Sequence, residues 1–249
     1  MKHAKLKANN ARPIWSRGWR GVFAAVALSV LAACGGGGGA ATDPASTPAA
    51  TGLLTDTGIT ASQCYAAGSD TLVSCTSAAA IALNSQQDGM MGRDVSDPDS
   101  SDGKLGFSYS AVASYAKTEC VKDNLTGLTW EGKPSSGLRA HTNTYTNYGD
   151  RRTRDASAYA AAVNATALCG YTDWRLPTAD ELLSLVDYGV AYPGPTVDIS
   201  WFPNTVGGFY WSSSPYVGFA NLARYVNFSG GDVNSYGYRF YGINVRLVR

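Results

Sequence analysis

Four carboxylates crowd one short polar stretch of this 249-residue chain. Asp94, Asp97, Asp99 and Asp102 lie among Ser, Gly and Pro between Arg93 and Gly103, and clustered oxygen ligands are what a hard cation such as calcium takes. The spacing departs from an EF-hand loop, because the glycine comes one place late and no glutamate stands at the twelfth position. A turn whose Asp and Ser side chains cap their own backbone is the other reading, and calcium at these four residues stays open beside it. Acid–base and nucleophilic chemistry has less to work with. Beyond residue 33 the only histidine is His141, in a polar Thr/Asn/Tyr loop, so no histidine pair can hold zinc. Gly-x-Ser-x-Gly, HExxH and Walker patterns are absent. The neighbours Asp180 and Glu181 suit the first turn of a helix, where its dipole favours acids. The expectation is a non-enzyme.

Binding chemistry is better represented. Between Val206 and Tyr241 the chain concentrates Tyr210, Trp211, Tyr216, Tyr225, Tyr236, Tyr238 and Tyr241 among Ser, Gly and Asn. Such a mixture offers rigid aromatic area at low entropy cost beside adaptable hydrogen-bonding groups. Tyr216, Asn221, Arg224, Tyr225, Asn234, Tyr236 and Tyr238 are the candidate ligand contacts, while Trp211, Val226 and Phe228 are expected in the core. Arg151, Arg152 and Arg154 form a local basic patch able to attract sulfate or phosphate, although most such runs are only solvated.

The elements that must position these residues can be read from local pattern. Thr178 and Glu181 have the spacing of a capping box, and Leu182, Leu185 and Val186 follow at helical intervals, which predicts a helix over 178–188. Asp155 is a fair N-cap for an alanine-rich helix over 155–168. Trp174 anchors the loop between the two helices by burial. Phe209–Ser214 and Ala223–Phe228 read as strands, the second with Val226 and Phe228 on one face and Tyr225 and Asn227 on the other. Ser229–Asp232 is a turn, and Ile243, Val245 and Leu247 alternate as a strand closing a sheet at the C-terminus. Two helices followed by short strands make an α+β pattern. Residues 53–86 hold a small apolar section, too short for its own core, that packs on the main domain as an extension.

Thr126–Trp130, Gly170–Asp187, Tyr210–Ser214 and Val245–Arg249, in that order, resemble the bacterial domain of unknown function (DUF1566) found at the C-terminus of Legionella collagen-like adhesin. The resemblance spans roughly residues 88–249, within a domain taken as 87–249. It implies a variant C-type lectin-like fold with two helices and short antiparallel sheets, related to the formylglycine-generating enzymes. Those enzymes use a reactive cysteine pair near the end of their fold; no cysteine follows Cys169 here, so that activity is not carried over. The resemblance also implies adhesin-like binding of a polysaccharide or host-surface ligand. The Tyr/Asn/Ser/Gly/Asp alphabet between 207 and 241 resembles the variable proteins of diversity-generating retroelements.

Residues 1–33 carry six basic residues, no acid, and an apolar run from Val22 to Ala33, the form of a secretory signal peptide. Leu31-Ala-Ala-Cys34 has the form of a lipobox, with Cys34 the lipidated residue and 34–52 a flexible Gly/Ala/Pro linker. Membrane attachment through lipid at the outer membrane or cell surface is the expected address. The whole chain carries +1 from 20 basic and 19 acidic residues; without the six leader bases, 14 remain against 19, a charge of −5. A charge of that sign argues against nucleic acid as a partner. Cys64, Cys75, Cys120 and Cys169 are an even set in an exported chain, with three possible pairings. Proximity favours Cys64–Cys75, which leaves Cys120–Cys169. The expected function is a surface-displayed ligand-binding domain; the alternative is a structural envelope lipoprotein that binds a protein partner.

Overall fold

A computed structural model describes residues 55–249. The expected signal peptide, Cys34 and the linker lie outside the described residues. Element order is α1 (Ala78–Leu83), α2 (Arg93–Ser96), β1 (Tyr109–Ala111), β2 (Cys120–Asp123), β3 (Thr129–Glu131), α3 (Ala156–Ala165), α4 (Ala179–Leu183), β4 (Phe209–Pro215), β5 (Leu222–Asn227) and β6 (Asp232–Tyr238). The strands form two antiparallel three-stranded sheets, β1-β2-β3 and β4-β5-β6. The architecture is α+β, as the pattern of elements predicts.

The two predicted helices form where their caps place them. Asp155 accepts hydrogen bonds from the Ser157 amide (3.0 Å) and hydroxyl (2.6 Å), the Tyr148 amide (2.6 Å), the Gly149 amide (3.2 Å) and the Thr146 hydroxyl (3.0 Å). Burial by itself would raise its carboxyl, but these donors outweigh burial and hold it below the ordinary aspartate value. A carboxyl with a depressed folded pKa adds stability that is present above its unfolded pKa and lost as pH falls through its folded one. Asp155→Ala is therefore expected to cost about 2 kcal/mol at neutral pH. The gap from the parent should narrow as both proteins are unfolded below about pH 4, which urea melts at several pH values would check.

At α4 the capping box is complete: Thr178 Oγ1 accepts the Glu181 amide at 3.1 Å, and Glu181 Oε2 accepts the Thr178 amide at 2.7 Å. Arg175 clamps the same carboxylate at both oxygens, 2.6 and 2.8 Å. The helix is shorter than the predicted 178–188. After Leu183 the bonds tighten to i→i−3, with Leu185 donating to Leu182 and Val186 to Leu183, and the Asp187 amide turns away to the Thr196 carbonyl. Leu182, Leu185 and Val186 are still buried together, so the stripe holds although the helix does not. The first helix also stops early, at Ala165, before Ala167 and Cys169 take left-handed backbone (φ 48° and 54°).

The second sheet lies between two apolar clusters. Tyr210, Val226 and Phe228 face one with Trp130, Leu182 and Phe202; Trp211 and Ala223 face the other with Tyr159, Val163 and Trp174. Gly237 is required by this packing, since a Cβ there would sit 2.6 Å from the Trp211 ring and 2.7 Å from the Tyr225 ring. The C-terminal segment corrects the sequence reading. It forms no alternating strand of either sheet: Val245, Arg246, Leu247 and Val248 are all buried. Its backbone instead joins the sheets, with the Glu131 amide bonding Leu247 O (3.0 Å) and the Trp211 amide bonding Asn244 O (3.0 Å). Both of its faces meet core, so a two-residue apolar period could not report which side faced water.

The 55–86 section docks on the rest through main-chain and carboxylate bonds. The Tyr188 amide donates to Thr57 O at 2.7 Å, and the Asp94 amide to Asp56 Oδ2 at 3.1 Å. The structure has both expected disulfides, Cys64–Cys75 and Cys120–Cys169.

Candidate functional site

The exposed end of the second sheet carries the candidate contacts. β5 and β6 form a hairpin through Ser229–Gly231, and the Leu222↔Tyr238 and Ala223↔Gly237 pairings bring the far end of β6 beside the start of β5. Tyr236 is 67 % exposed and Tyr238 42 %, large aromatic areas that a soluble surface leaves open without structural reason. Tyr236 meets Tyr216 at 5.7 Å between ring centroids, and Tyr216 stacks on Phe219 at 5.7 Å. Tyr238 stacks on Phe240 at 5.3 Å and meets the edge of Tyr241 at 5.7 Å. The result is two aromatic groups, one of the β4–β5 loop with Tyr236 of β6, and one of Tyr238 at the end of β6 with the residues that follow. Phe219 and Phe240 did not figure among the predicted contacts. Their signal was a phenylalanine set in a Gly/Asn/Tyr loop, where nothing nearby in sequence would bury it.

The other predicted contacts divide. Asn221 is exposed, and its carbonyl accepts the Arg239 amide at 3.0 Å. Asn234 turns back on its own strand, its Oδ1 accepting the Tyr236 amide at 2.9 Å. Arg224 is half-buried, with its carbonyl taken by the Ser212 hydroxyl. Tyr225 is separate from the aromatic groups above: it packs edge-on against Phe209 (4.9 Å) and Trp211 (6.2 Å), and burial raises its hydroxyl pKa. Strand alternation sends it toward the second cluster. Trp211 is fully buried as expected, its indole N–H bonded to Tyr145 O at 2.7 Å.

The four predicted calcium ligands do not meet. Asp97 pairs with Arg93 at 2.6 Å, Asp99 accepts the Ser101 amide at 2.8 Å, and Asp102 takes the Ser108 hydroxyl. Of the three, Asp99 caps its own backbone as in the turn reading, while Asp97 and Asp102 are satisfied by neighbouring side chains. Asp94 differs, being buried beside Asp56, and burial first and then the Asp56 charge push its carboxyl above the ordinary value. Among the described residues no group of three or more His, Cys, Asp or Glu side chains is gathered for a metal.

A concentrated set of ionisable groups around Glu131 is closed to solvent. Glu131 Oε1 accepts Lys133 Nζ at 3.0 Å and the Tyr159 hydroxyl, while Oε2 accepts the Leu247 amide at 2.9 Å. Arg246 donates to Glu131 O and to Thr205 Oγ1, both at 2.7 Å, and lies over the Phe202 ring. Burial, only partly opposed by Glu131, pushes the Lys133 ammonium down to about 8. None of the four side chains is more than 4 % exposed, so a substrate has no access and the set serves the fold. His141 is half-buried with Nδ1 3.3 Å from Pro134 O. Arg152 pairs with Asp150 and covers Tyr148 at 3.7 Å, whereas Arg151 and Arg154 are exposed.

The serines of the Tyr210–Ser214 motif make structural bonds. Ser213 donates its amide to Pro177 O (2.7 Å), and Ser214 Oγ accepts the Ala179 amide (3.0 Å), so the Tyr-Trp-Ser-Ser-Ser run holds the start of α4. Comparison with known proteins agrees with this arrangement of motifs: the family described as the Lcl C-terminal domain matches residues 119–249, just over half of the chain. The match begins later than residue 88, where the resemblance in sequence was placed. No curated protein matches the chain.

Proposed function

The chain belongs to the Lcl C-terminal domain family, and from that premise we propose that it is a ligand-binding, adhesin-like domain shown on the bacterial surface. In this reading residues 1–33 export the chain, lipid on Cys34 fastens it to the outer membrane, and the domain performs no catalysis. The observation that carries the proposal is the pair of exposed aromatic groups, Tyr216–Phe219–Tyr236 and Tyr238–Phe240–Tyr241. Aromatic faces stack on sugar rings and also make the anchors of protein interfaces. A polysaccharide is the first ligand class to test, and one stoichiometric protein from the envelope is the alternative.

The separation of a buried strand face from an exposed aromatic one supports the retroelement idea as well. Asn221, Tyr236, Tyr238 and Tyr241 are exposed while Trp211, Val226 and Phe228 are buried, so tip residues can change without touching the core. A reverse transcriptase with an imperfect template copy beside the gene would support it, and the absence of both would remove it.

A glycan array probed with the protein, and a pull-down from detergent-solubilised envelopes, test the main reading. Tyr236→Ala and Tyr238→Ala are each expected to weaken binding about 10-fold or more and to leave stability within about 0.5 kcal/mol. Binding that both variants retain would place the ligand elsewhere.

A further inference from the structure

Asp94 carries a buried problem that its own loop does not solve. The residue is 5 % exposed, and its Oδ1 is buried with no hydrogen-bond partner. Its neighbour Asp56 has its two oxygens on main-chain amides, Oδ1 on Gly58 at 2.9 Å and Oδ2 on Asp94 at 3.1 Å. None of the ion pairs among the described residues involves Asp56, Asp88 or Asp94. An unpartnered carboxylate oxygen beside a second carboxylate is costly to bury unless positive charge accompanies it.

Gly92 shows where that charge would sit. A Cβ built there would be 2.4 Å from Asp94 Oδ1 and 2.7 Å from Asp56 Oδ2, so the two oxygens close in together on the bare glycine. The backbone gives no reason for glycine at this position, since its φ of −68° and ψ of 174° suit any residue. The close approach of the two carboxylates is the reason. Asp56 is hemmed in on a second side as well, where a Cβ on Gly106 would meet its Cγ at 2.4 Å, so its carboxylate is held in place.

We propose that a divalent cation of the calcium class binds between the carboxylates of Asp56 and Asp94, where they converge beside Gly92. Hard cations take six to eight oxygens at about 2.3–2.6 Å, and water or main-chain carbonyls complete a set that two carboxylates begin. The site joins the 55–86 section to the loop entering α2, so the cation ties the extension to the domain. It lies outside the matched residues 119–249, and it does not depend on the aromatic face binding anything.

Thermal melts of the full chain, purified in detergent and stripped with chelator, test the site with calcium chloride as the probe. Calcium is expected to raise the melting temperature by a few degrees at about 10 mM, with half-saturation near 0.1–1 mM, the range of extracellular modules. Asp94→Asn should abolish the response and Asp97→Asn, at the exposed Arg93 pair, should keep it. Gly92→Ala pushes the two oxygens apart with a methyl group while keeping both carboxylates and should abolish it too, which serves should Asp94→Asn fail to fold. An unresponsive parent protein overturns the proposal, and an Asp94→Asn protein that melts at or above the parent would show that a proton meets the charge instead. A response equal in the parent and in either Asp94→Asn or Gly92→Ala overturns it as well.

Discussion

Replacing Glu131 by Gln is expected to destabilise the domain by about 3–5 kcal/mol, the cost of breaking a buried pair from one side. The carboxylate serves three donors at once, Lys133 Nζ, the Tyr159 hydroxyl and the Leu247 amide. Glutamine keeps one acceptor oxygen and turns an amide donor toward a lysine or an amide N–H. It also leaves Lys133 and Arg246 as two buried cations with no anion between them, in a region where neither is more than 4 % exposed. Against a typical total of 5–15 kcal/mol, a loss of this size removes much of the folded population's margin. Urea denaturation followed by tryptophan fluorescence would measure it. The double variant Glu131→Gln/Lys133→Met should recover part of the loss, because removing both partners is far milder than removing one. A single-variant loss under about 1 kcal/mol would mean that water reaches the pair.

The second large effect is expected at Cys120–Cys169. The bridge spans a sequence separation of 49 and runs from β2 to the turn after α3. By the loop-entropy account its removal in Cys120→Ala/Cys169→Ala costs about 4 kcal/mol. Both sulfurs lie within the second cluster beside Trp174 and Val163, so the change also leaves a small cavity. Cys64–Cys75 spans only 11 residues and belongs to a separate small cluster with Ala80. Its removal should loosen the extension and move the main unfolding transition much less. Thermal melts of the two double variants would show the contrast, and equal shifts would mean that the extension and the domain unfold as one unit.

Both effects bear on the proposed binding face. The aromatic groups are set by β5, β6 and the loops flanking them, and that sheet is held from behind by Trp211 and by the C-terminal segment bonded to Glu131. Loss of the buried pair is thus expected to disturb the binding face indirectly, whereas loss of Tyr236 or Tyr238 removes contact area alone.

The sequence by itself determined the features whose physics is local. Asp155 and the Thr178/Glu181 box cap the helices because a cap needs only residues two to three apart. The apolar stripe of Leu182, Leu185 and Val186 and the alternation of Val226 and Phe228 point to core from spacing alone. Nearness in the chain favoured Cys64–Cys75 and so left Cys120–Cys169. Only the tertiary structure decided the rest. β6 is not among the strands that local pattern picks out, since Asn234, Ser235 and Gly237 carry no strand signal until β5 pairs with them and Trp211 packs on the bare glycine. Glu131, Lys133 and Arg246 look like surface charges in a linear chain, and their burial depends on a C-terminal segment that meets β3 from over a hundred residues away. Asp94 separates from Asp97, Asp99 and Asp102 only because Asp56, far earlier in the chain, folds against it. Local preference is written in neighbouring residues, but whether a charge or an aromatic ring meets water depends on which distant segment covers it.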